Sequence, residues 1–130
     1  IVYANKIYSY GGKSDMCKND VVLIDINTKS VSSVSTIGEA PPPRFCHSAC
    51  LWNNCMFIYG GVDGDDNIHS EIFQLDLQTM MWSSVSSNGP PKRLCGSCVL
   101  GNQWFIFGGS SASTACNDLW SFEFETRTWK

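Results

Sequence analysis

The residues best suited to chemistry in this sequence are its seven cysteines and two histidines. Cys95 and Cys98 have the CxxC spacing of a redox pair or of half a zinc site. A redox pair belongs at the start of a helix, whereas an apolar, β-rich run follows Cys98. A zinc site needs further ligands, for which Cys46, His47 and Cys50 qualify by residue type alone. The simpler interpretation is that these cysteines are small residues of a buried strand.

The cysteine count also bears on the compartment. An odd count of seven does not suit a complete set of disulfides, so we predict free thiols in a reducing compartment. This prediction favours the cytoplasm, and we expect neither a bound metal nor a cofactor.

An acidic run followed by His69 is a second candidate for chemistry. Its acids are Asp63, Asp65 and Asp66. An EF-hand calcium loop needs Gly at its sixth position and Glu at its twelfth, and counting from Asp63 these places hold Ile68 and Gln74. The EF-hand interpretation therefore fails. A looser cation site remains an alternative, and an acidic patch for a basic partner is favoured.

Composition limits the classes of function that these residues can serve. The chain has 130 residues, of which 43% are hydrophobic and 16% charged, as is typical of a globular domain. Its net charge of −3 argues against nucleic acid, because phosphate binding needs a basic surface. No apolar run reaches the roughly 20 residues of a membrane helix. The start Ile1-Val2-Tyr3 carries no Met and no signal-peptide pattern, which suggests an excerpt of a longer protein.

The elements that must position these residues repeat along the chain. A Gly-Gly doublet closes an aromatic-aliphatic run three times, at 11–12, 60–61 and 108–109, with spacings of 49 and 48 residues. A second apolar run follows each doublet, opened by Asp20, Glu71 or Asp118, with another acid five residues later. Trp82 and Trp129 close the last two copies. This recurrence in phase predicts a chain built of repeated structural units.

Each unit is predicted to contain four short strands and no helix. In the second unit they are residues 47–52, 55–59, 71–77 and 81–85, separated by turn signals such as Asn53-Asn54. Apolar and polar residues alternate over 73–77 with the strand period of two. All five prolines lie at 41–43 and 90–91, which suits connections between units because proline cannot donate to a sheet ladder.

A period of about 50 residues, four strands, a Gly-Gly doublet and a late Trp together form the pattern of the kelch repeat. The sequence resembles the kelch family over nearly its whole length, most strongly over 44–85 and 93–129. The long Gly-Pro-Pro-Arg segments are similar to the extended kelch repeats and to the central domain of galactose oxidase. The resemblance implies an all-β fold, a β-propeller with blades of four antiparallel strands. The first copy has a truncated opening strand and Val31 in place of Trp.

The resemblance also implies how the chain divides. We expect a partial blade over 1–37, a blade over 38–87 and a blade over 88–130, all within one propeller domain. Closed propellers have typically four to eight blades, so these three form an incomplete propeller whose edges self-association would cover. The doublet glycines are expected to allow close approach of the neighbouring blade, and Trp82 and Trp129 to pack between blades.

Candidate partner-binding residues follow from the family's loops after the doublets, which often contact partners. These loops span 13–19, 62–70 and 110–117, and they differ in chemistry: the first is charged, the second acidic and the third rich in hydroxyl groups. The alternative is that they are merely solvated loops. The candidates in them are Lys13, Asp63, Asp65, Asp66, His69, Ser110 and Ser111.

Arg44 and Arg93 occupy matching places at the start of the first strand of their units, which the family places nearest the channel. They could fork onto an acidic segment, or make a repeated structural pairing with a carbonyl or a blade acid. Because the pattern recurs, the structural pairing is favoured. His47 aligns with Gly96, and a channel-facing binding role and a satisfied strand histidine are equally supported.

These features predict a protein-interaction module, an adaptor or scaffold whose partners are proteins rather than nucleic acid or membrane. No Ser-His-Asp spacing, nucleophile elbow or phosphate-binding loop is present, and a copper site like that of galactose oxidase needs more than two histidines. We therefore expect no enzymatic activity. The alternatives are a non-catalytic or substrate-binding propeller portion of a larger enzyme and, more weakly, metal or redox chemistry at the cysteines.

Overall fold

Residues 1–86 and 88–130 are described by the structure, a computed structural model, and their regular elements are all β-strands. The strands form three sheets of four or five strands and one small hairpin, which confirms the predicted all-β blades. Within the described residues there is no helix long and apolar enough to cross a membrane.

Blade one is an antiparallel sheet in which strands are ordered as they occur along the chain. Its strands are β1 (Val2–Tyr3), β2 (Lys6–Lys13), β3 (Cys17–Asp25) and β4 (Ser30–Val34). The expectation of a loop over 13–19 is wrong, because β2 and β3 remain paired as far as Lys13 and Cys17. Gly11, with a φ of 63°, lies at the irregularity in β2 that permits this extension.

Blade two contains the four predicted strands and one more. Its strands are β5 (Ile37–Gly38), β6 (Ser48–Trp52), β7 (Cys55–Tyr59), β8 (Ile72–Asp76) and β9 (Met81–Ser86). The last four agree with the predicted bounds to within one residue at each end. β5 is an unpredicted fifth strand that runs parallel to β9 at the edge of the sheet. A Cβ on Gly38 would lie 2.4 Å from the Trp82 carbonyl oxygen, so this close pairing needs glycine.

Blade three repeats the four-stranded sheet and carries a hairpin in its long connection. In chain order its strands are β10 (Gly96–Leu100), β11 (Gln103–Phe107), the hairpin β12 (Ser110–Ser111) and β13 (Thr114–Ala115), then β14 (Leu119–Glu123) and β15 (Thr128–Trp129). The third of the expected loops is thus partly ordered as strand.

Two apolar cores lie between successive blades. Tyr10 of blade one lies 5.2 Å from the Trp82 ring of blade two, and Tyr59 of blade two lies 4.8 Å from the Trp129 ring of blade three. The predicted packing of both tryptophans between blades is therefore confirmed. The first core contains Tyr8, Tyr10, Val21, Met56, Ile58, Leu75, Leu77 and Trp82. The second contains Cys50, Phe57, Tyr59, Ile72, Trp104, Ile106, Phe122 and Phe124.

Backbone hydrogen bonds also join the blades, at the Gly-Gly doublets. Gly12 N donates to Arg44 O at 2.9 Å, and Gly61 N donates to Lys92 O at the same distance. Gly60 has a φ of 67°, and a Cβ there would lie 2.3 Å from Lys92 O. The doublets therefore turn the chain and admit the next blade's Pro-rich segment, as predicted.

Candidate functional site

Two clusters of charged side chains form where the Pro-rich segment of a blade meets the loop after that blade's doublet. The blade-two cluster is built on Arg44, whose side chain is fully buried. Its Nη1 donates to Gly60 O at 3.0 Å and lies 3.8 Å from Glu71 Oε2, and its Nε donates to Pro42 O at 3.2 Å. The Phe73 ring lies 5.5 Å away. The guanidinium is thus committed inside its own blade, which supports the structural interpretation of Arg44.

His69 extends this cluster toward the acidic loop. Its Nε2 lies 3.4 Å from Asp63 Oδ2 and its Nδ1 lies 3.3 Å from Glu71 Oε2. Asp63 Oδ1 accepts hydrogen bonds from the backbone N of Asp65 and of Asn67 at 2.9 and 3.0 Å. The Asn67 side chain and these backbone donors lower the pKa of Asp63. Asp63 and His69 therefore order the loop, and both side chains are partly buried.

The remaining acids of the loop are available at its tip. Asp65 and Asp66 are exposed, and Asp66 has a left-handed φ of 64°. Among the described residues, no group of three or more His, Cys, Asp or Glu side chains is placed to hold a metal ion. The acidic run is accordingly a turn organised by its first aspartate, with two carboxylates projecting at the surface.

The blade-three cluster shows that the predicted match of Arg44 with Arg93 is wrong. Lys92 is the counterpart of Arg44: its Nζ donates to Gly108 O at 3.2 Å and to Asp118 Oδ1 at 2.5 Å, and only 3% of the residue is exposed. Both segments contain an arginine followed two residues later by a cysteine, and matching them on this pattern shifts the alignment by one residue, because the buried cation of each blade directly follows the last proline.

Arg93 instead occupies the place of Phe45, since Phe45 bridges to Val62 as Arg93 bridges to Ser110. Arg93 is partly exposed, and its Nε is buried without a hydrogen bond to any described residue. The ammonium of Lys13, which is exposed, lies 4.8 Å from the centre of the Phe45 ring. The two arginines therefore do not form one repeated site.

The corrected register also changes the environment assigned to His47. It is the counterpart of Cys95 rather than of Gly96, and it packs against the Tyr10 ring at 5.5 Å. Burial, with a smaller contribution from the charge of Arg44, lowers the pKa of His47 to about 4. His47 is thus a neutral, half-buried side chain at the junction of blades one and two.

The hydroxyl-rich loop is more enclosed than its composition suggests. Ser110 and Ser111 are partly buried in β12, and Ser110 Oγ donates to the Ser111 carbonyl at 2.9 Å. Sequence reasoning missed three residues of the clusters, Glu71, Lys92 and Asp118, although the acids were noted as repeat markers. The signal that could have found them is the recurring acid that opens the third strand of each unit, since a buried cation needs a carboxylate nearby.

The depressed pKa of His47 predicts a dependence of stability on pH. Between the folded value near 4 and an ordinary value near 6.5, the unfolded chain binds more protons, so acidification favours unfolding. We expect the wild-type chain to be about 2 kcal/mol less stable near pH 5 than near pH 7 from this group alone. Urea unfolding at the two pH values measures the loss, and His47→Gln, which cannot titrate, should remove most of it. An unchanged pH dependence in His47→Gln would contradict the assignment.

Comparisons with known proteins agree with this architecture. The sequence profile of a family described as "KLHDC2/KLHL20/DRC7 Kelch-repeats domain" matches residues 1–130. The chain is 28% identical over 131 residues to Leucine-zipper-like transcriptional regulator 1 homolog of Drosophila melanogaster, covering 93% of this chain and 13% of that protein. It is 30% identical over 139 residues to Host cell factor of the same organism, covering 88% of this chain and 9% of that protein.

A yeast relative extends the comparison. The chain is 28% identical over 126 residues to Tip elongation aberrant protein 1 of Schizosaccharomyces pombe, covering 91% of this chain and 11% of that protein. The chain thus spans between 9% and 13% of the length of these three relatives. With three successive blades, their glycine doublets and a family match over residues 1–130, the chain belongs to the kelch-repeat domain family.

Proposed function

We propose that the chain is a protein-interaction module, an adaptor or scaffold that binds partner segments with the loops after its doublets. The supporting observation is that blades two and three share their framework contacts while their loops differ. His69 N donates to Gly61 O at 2.9 Å and Cys116 N donates to Gly109 O at the same distance, yet one residue is an imidazole and the other a thiol. A constant framework with divergent loops is how a scaffold builds an asymmetric binding surface.

The candidate binding residues differ in how exposed their side chains are. Lys13, at the end of β2, and Asp65 and Asp66, at the tip of the acidic loop, have exposed side chains and are the residues we assign to partner contact. Asp63, His69, Ser110, Ser111, His47 and Arg93 are partly buried and would contribute at the edge of such a surface. Arg44 is not assigned to partner contact, because its side chain is fully buried in contacts of its own blade. The two exposed carboxylates favour a basic partner segment through charge complementarity.

A binding role is also favoured over catalysis by the way the charged groups are used. Arg44 and Lys92 are each committed to a carbonyl and to a carboxylate of their own blade. The catalytic alternative, a propeller portion of a larger enzyme, would place its reacting groups outside these clusters. All seven cysteines are free in the structure, and a cytoplasmic location remains our proposal from their number.

The faces at the two ends of the chain support a further proposal, self-association head to tail. On blade three, Leu100, Phe107 and Leu119 are 74%, 57% and 61% exposed, at places whose blade-two counterparts pack on the next blade. On blade one, Ile26 and Val31 are 52% and 67% exposed, at places matching Leu77 and Trp82 of the first core. For the 130-residue chain taken by itself, the end faces of two copies are complementary in the way that successive blades already are.

The binding proposal predicts selection of basic segments by the acidic loop tip. Peptides enriched by display selection on the immobilised chain should be basic, and Asp65→Asn with Asp66→Asn should weaken their binding about tenfold, as expected for two exposed ion pairs. Glu39→Gln, which removes an exposed acid outside the loops after the doublets, is the matched control and should bind like the wild type. Selection of uncharged peptides, or equal binding by the double variant, would contradict the proposal.

The head-to-tail proposal has its own test, because light scattering on the same preparation reports self-association as a doubled mass.

A further inference from the structure

His69 lies between two carboxylates, and each of its ring nitrogens faces one of them. Nε2 lies 3.4 Å from Asp63 Oδ2, and Nδ1 lies 3.3 Å from Glu71 Oε2. A neutral imidazole has one N–H and one bare nitrogen, so it can donate to only one of these carboxylates. The other contact then directs a nitrogen lone pair at a carboxylate oxygen. Only the protonated ring can donate to both carboxylates.

Two atoms on these contacts are buried without a hydrogen bond to any described residue. They are His69 Nε2 and Glu71 Oε2. Buried polar atoms without a hydrogen bond are unfavourable, and native structures contain few of them. A second proton on the ring converts both contacts into charge-assisted hydrogen bonds, which are the stronger kind. The arrangement therefore fits the protonated ring better than the neutral one.

The charges of the blade-two cluster are balanced only when His69 carries that proton. Arg44 supplies one positive charge, whereas Asp63 and Glu71 supply two negative charges. Hydrogen bonds from Asn67 and from the loop backbone lower the pKa of Asp63, so its carboxylate stays ionised where histidine titrates. With a neutral His69 the partly buried cluster has one uncompensated negative charge. One proton on the ring makes the cluster neutral.

The surrounding elements bring other titratable groups near this cluster. The Lys92 ammonium of blade three forms its own ion pair with Asp118. Burial lowers the pKa of His47 to about 4, so that its ring stays neutral above about pH 5. Cys17 of blade one has its sulfur 3.8 Å from the place of a Cβ on Gly64, and so adds a thiol beside the acidic loop. The missing positive charge is therefore left to His69.

The backbone of His69 is fixed on both sides. Its N donates to Gly61 O at 2.9 Å within blade two, and its O accepts a hydrogen bond from Lys92 N of blade three at 3.2 Å. The acidic loop is less firmly attached, because Asp63 Oδ1 accepts hydrogen bonds from within the loop itself. A stronger contact between the ring and Asp63 Oδ2 therefore restrains the loop rather than displacing the histidine.

The other two blades hold the corresponding segment by strand pairing. Lys18 and Cys116 occupy the place of His69 in blades one and three, as their matching backbone hydrogen bonds show. In those blades β2 pairs with β3, and β12 pairs with β13. Among the described residues, the loop of blade two has one isolated bridge, between Val62 and Ile68. The order of this loop therefore depends more on side-chain contacts.

We propose that His69 is a proton-dependent clamp on the acidic loop. The protonated ring donates to Asp63 Oδ2 and Glu71 Oε2 together, and so ties the loop to the buried Arg44 through Glu71. An ordinary histidine changes charge between about pH 5 and 8, so mild acidification closes the clamp. When the proton leaves, Asp63 keeps its contacts within the loop and loses its hold on the framework. The turn with the two exposed carboxylates is thereby more ordered at pH 6 than at pH 8.

NMR on the 130-residue chain at pH 6 and pH 8 tests the clamp. The amides of Asp65 and Asn67 donate to Asp63 Oδ1 at 2.9 and 3.0 Å and report on the loop. Their order parameters should be about 0.1 higher at pH 6, closer to the value of about 0.85 that is typical of rigid backbone. The change should have the same midpoint as the ring resonances of His69. No partner is required, so the result is independent of the binding proposal.

The turn between β8 and β9 supplies a matched control. The amides of Gln78 and Thr79 donate to Asp76 Oδ1 at 2.8 and 3.0 Å, in a turn that contains no histidine. Their order parameters should be equal at the two pH values. A His69 ring that does not change charge between pH 5 and pH 8, or loop amides that do not follow it, would overturn the proposal.

Two variants separate the proton from the geometry of the turn. His69→Gln cannot titrate, and it should abolish the pH response of the loop amides. Asp63→Asn keeps a side-chain oxygen that can accept the hydrogen bonds of the turn, but it has no charge to attract the protonated ring. In this variant the ring of His69 should still titrate, while the loop responds less. An undiminished response in either variant would overturn the clamp.

Discussion

Replacing Arg44 with Met is expected to destabilise the chain by about 2–4 kcal/mol, a large part of the 5–15 kcal/mol typical of a domain. The change leaves Gly60 O without its donor and Glu71 without its cation in a site where Arg44 is fully buried. The lower part of the range for buried pairs applies because Glu71 keeps 37% of its side chain exposed. Urea unfolding followed by tryptophan fluorescence measures the change.

Three further variants test the explanation. Arg93→Met should cost less than about 1 kcal/mol, because Arg93 makes its framework contact through the backbone. Arg44→Lys should recover part of the loss, since blade three uses lysine in the same place. Adding Glu71→Gln to Arg44→Met should also recover part, because the unpaired carboxylate is then removed. If Arg93→Met were as damaging as Arg44→Met, the corrected register would be wrong.

Gly60→Ala is expected to destabilise the chain by about 2–5 kcal/mol, as the sum of a left-handed backbone and a steric clash. The φ of Gly60 is 67°, and the new Cβ would lie 2.3 Å from Lys92 O in the next blade. Lys92 O is a backbone atom and cannot move aside as a flexible side chain can. Relieving the clash therefore requires blade three to shift against blade two. The free energy of unfolding from urea titration is again the measurement.

Gly101→Ala is the matched control for this change. Gly101 has a φ of 60°, but a Cβ there meets no atom within 4 Å. Its variant should therefore lose only the about 1–2 kcal/mol of the left-handed backbone. Similar losses in the two variants would show that conformation alone, and not the approach of the neighbouring blade, explains the glycine at position 60.

The framework was predictable because its signals are local. The alternation over residues 73–77 and the turn at Asn53-Asn54 place strands β6 to β9 to within one residue at each end. The extended β2–β3 hairpin was not predictable, since it depends on the shift in strand pairing at Gly11. β5 was also missed, because a two-residue strand has no periodicity and is held by pairing with β9.

The clusters were harder to predict than the framework. The shared pattern of an arginine and a cysteine two residues later matched Arg44 with Arg93, whereas the acceptor carbonyls of the buried cations follow the doublets, which are one residue out of step with that pattern. Lysine and arginine can also serve the same buried role, which hides Lys92 from a comparison of residue types. The ion pair of Lys92 with Asp118 joins residues far apart in the chain and becomes visible only in the folded structure.

The backbone hydrogen bonds from Gly12 to Arg44 and from Gly61 to Lys92 bear on how a protein of this kind could gain blades by duplication. Both connect backbone atoms only, so they do not specify the side chains on either side. A blade duplicated within a gene would carry its own docking connection, provided that it kept the doublet glycines. The copy could attach before any surface residue had changed, and its loop would then be free to diverge. Because blades attach through backbone atoms, a duplicated blade can keep its architecture while the binding specificity of its loop changes.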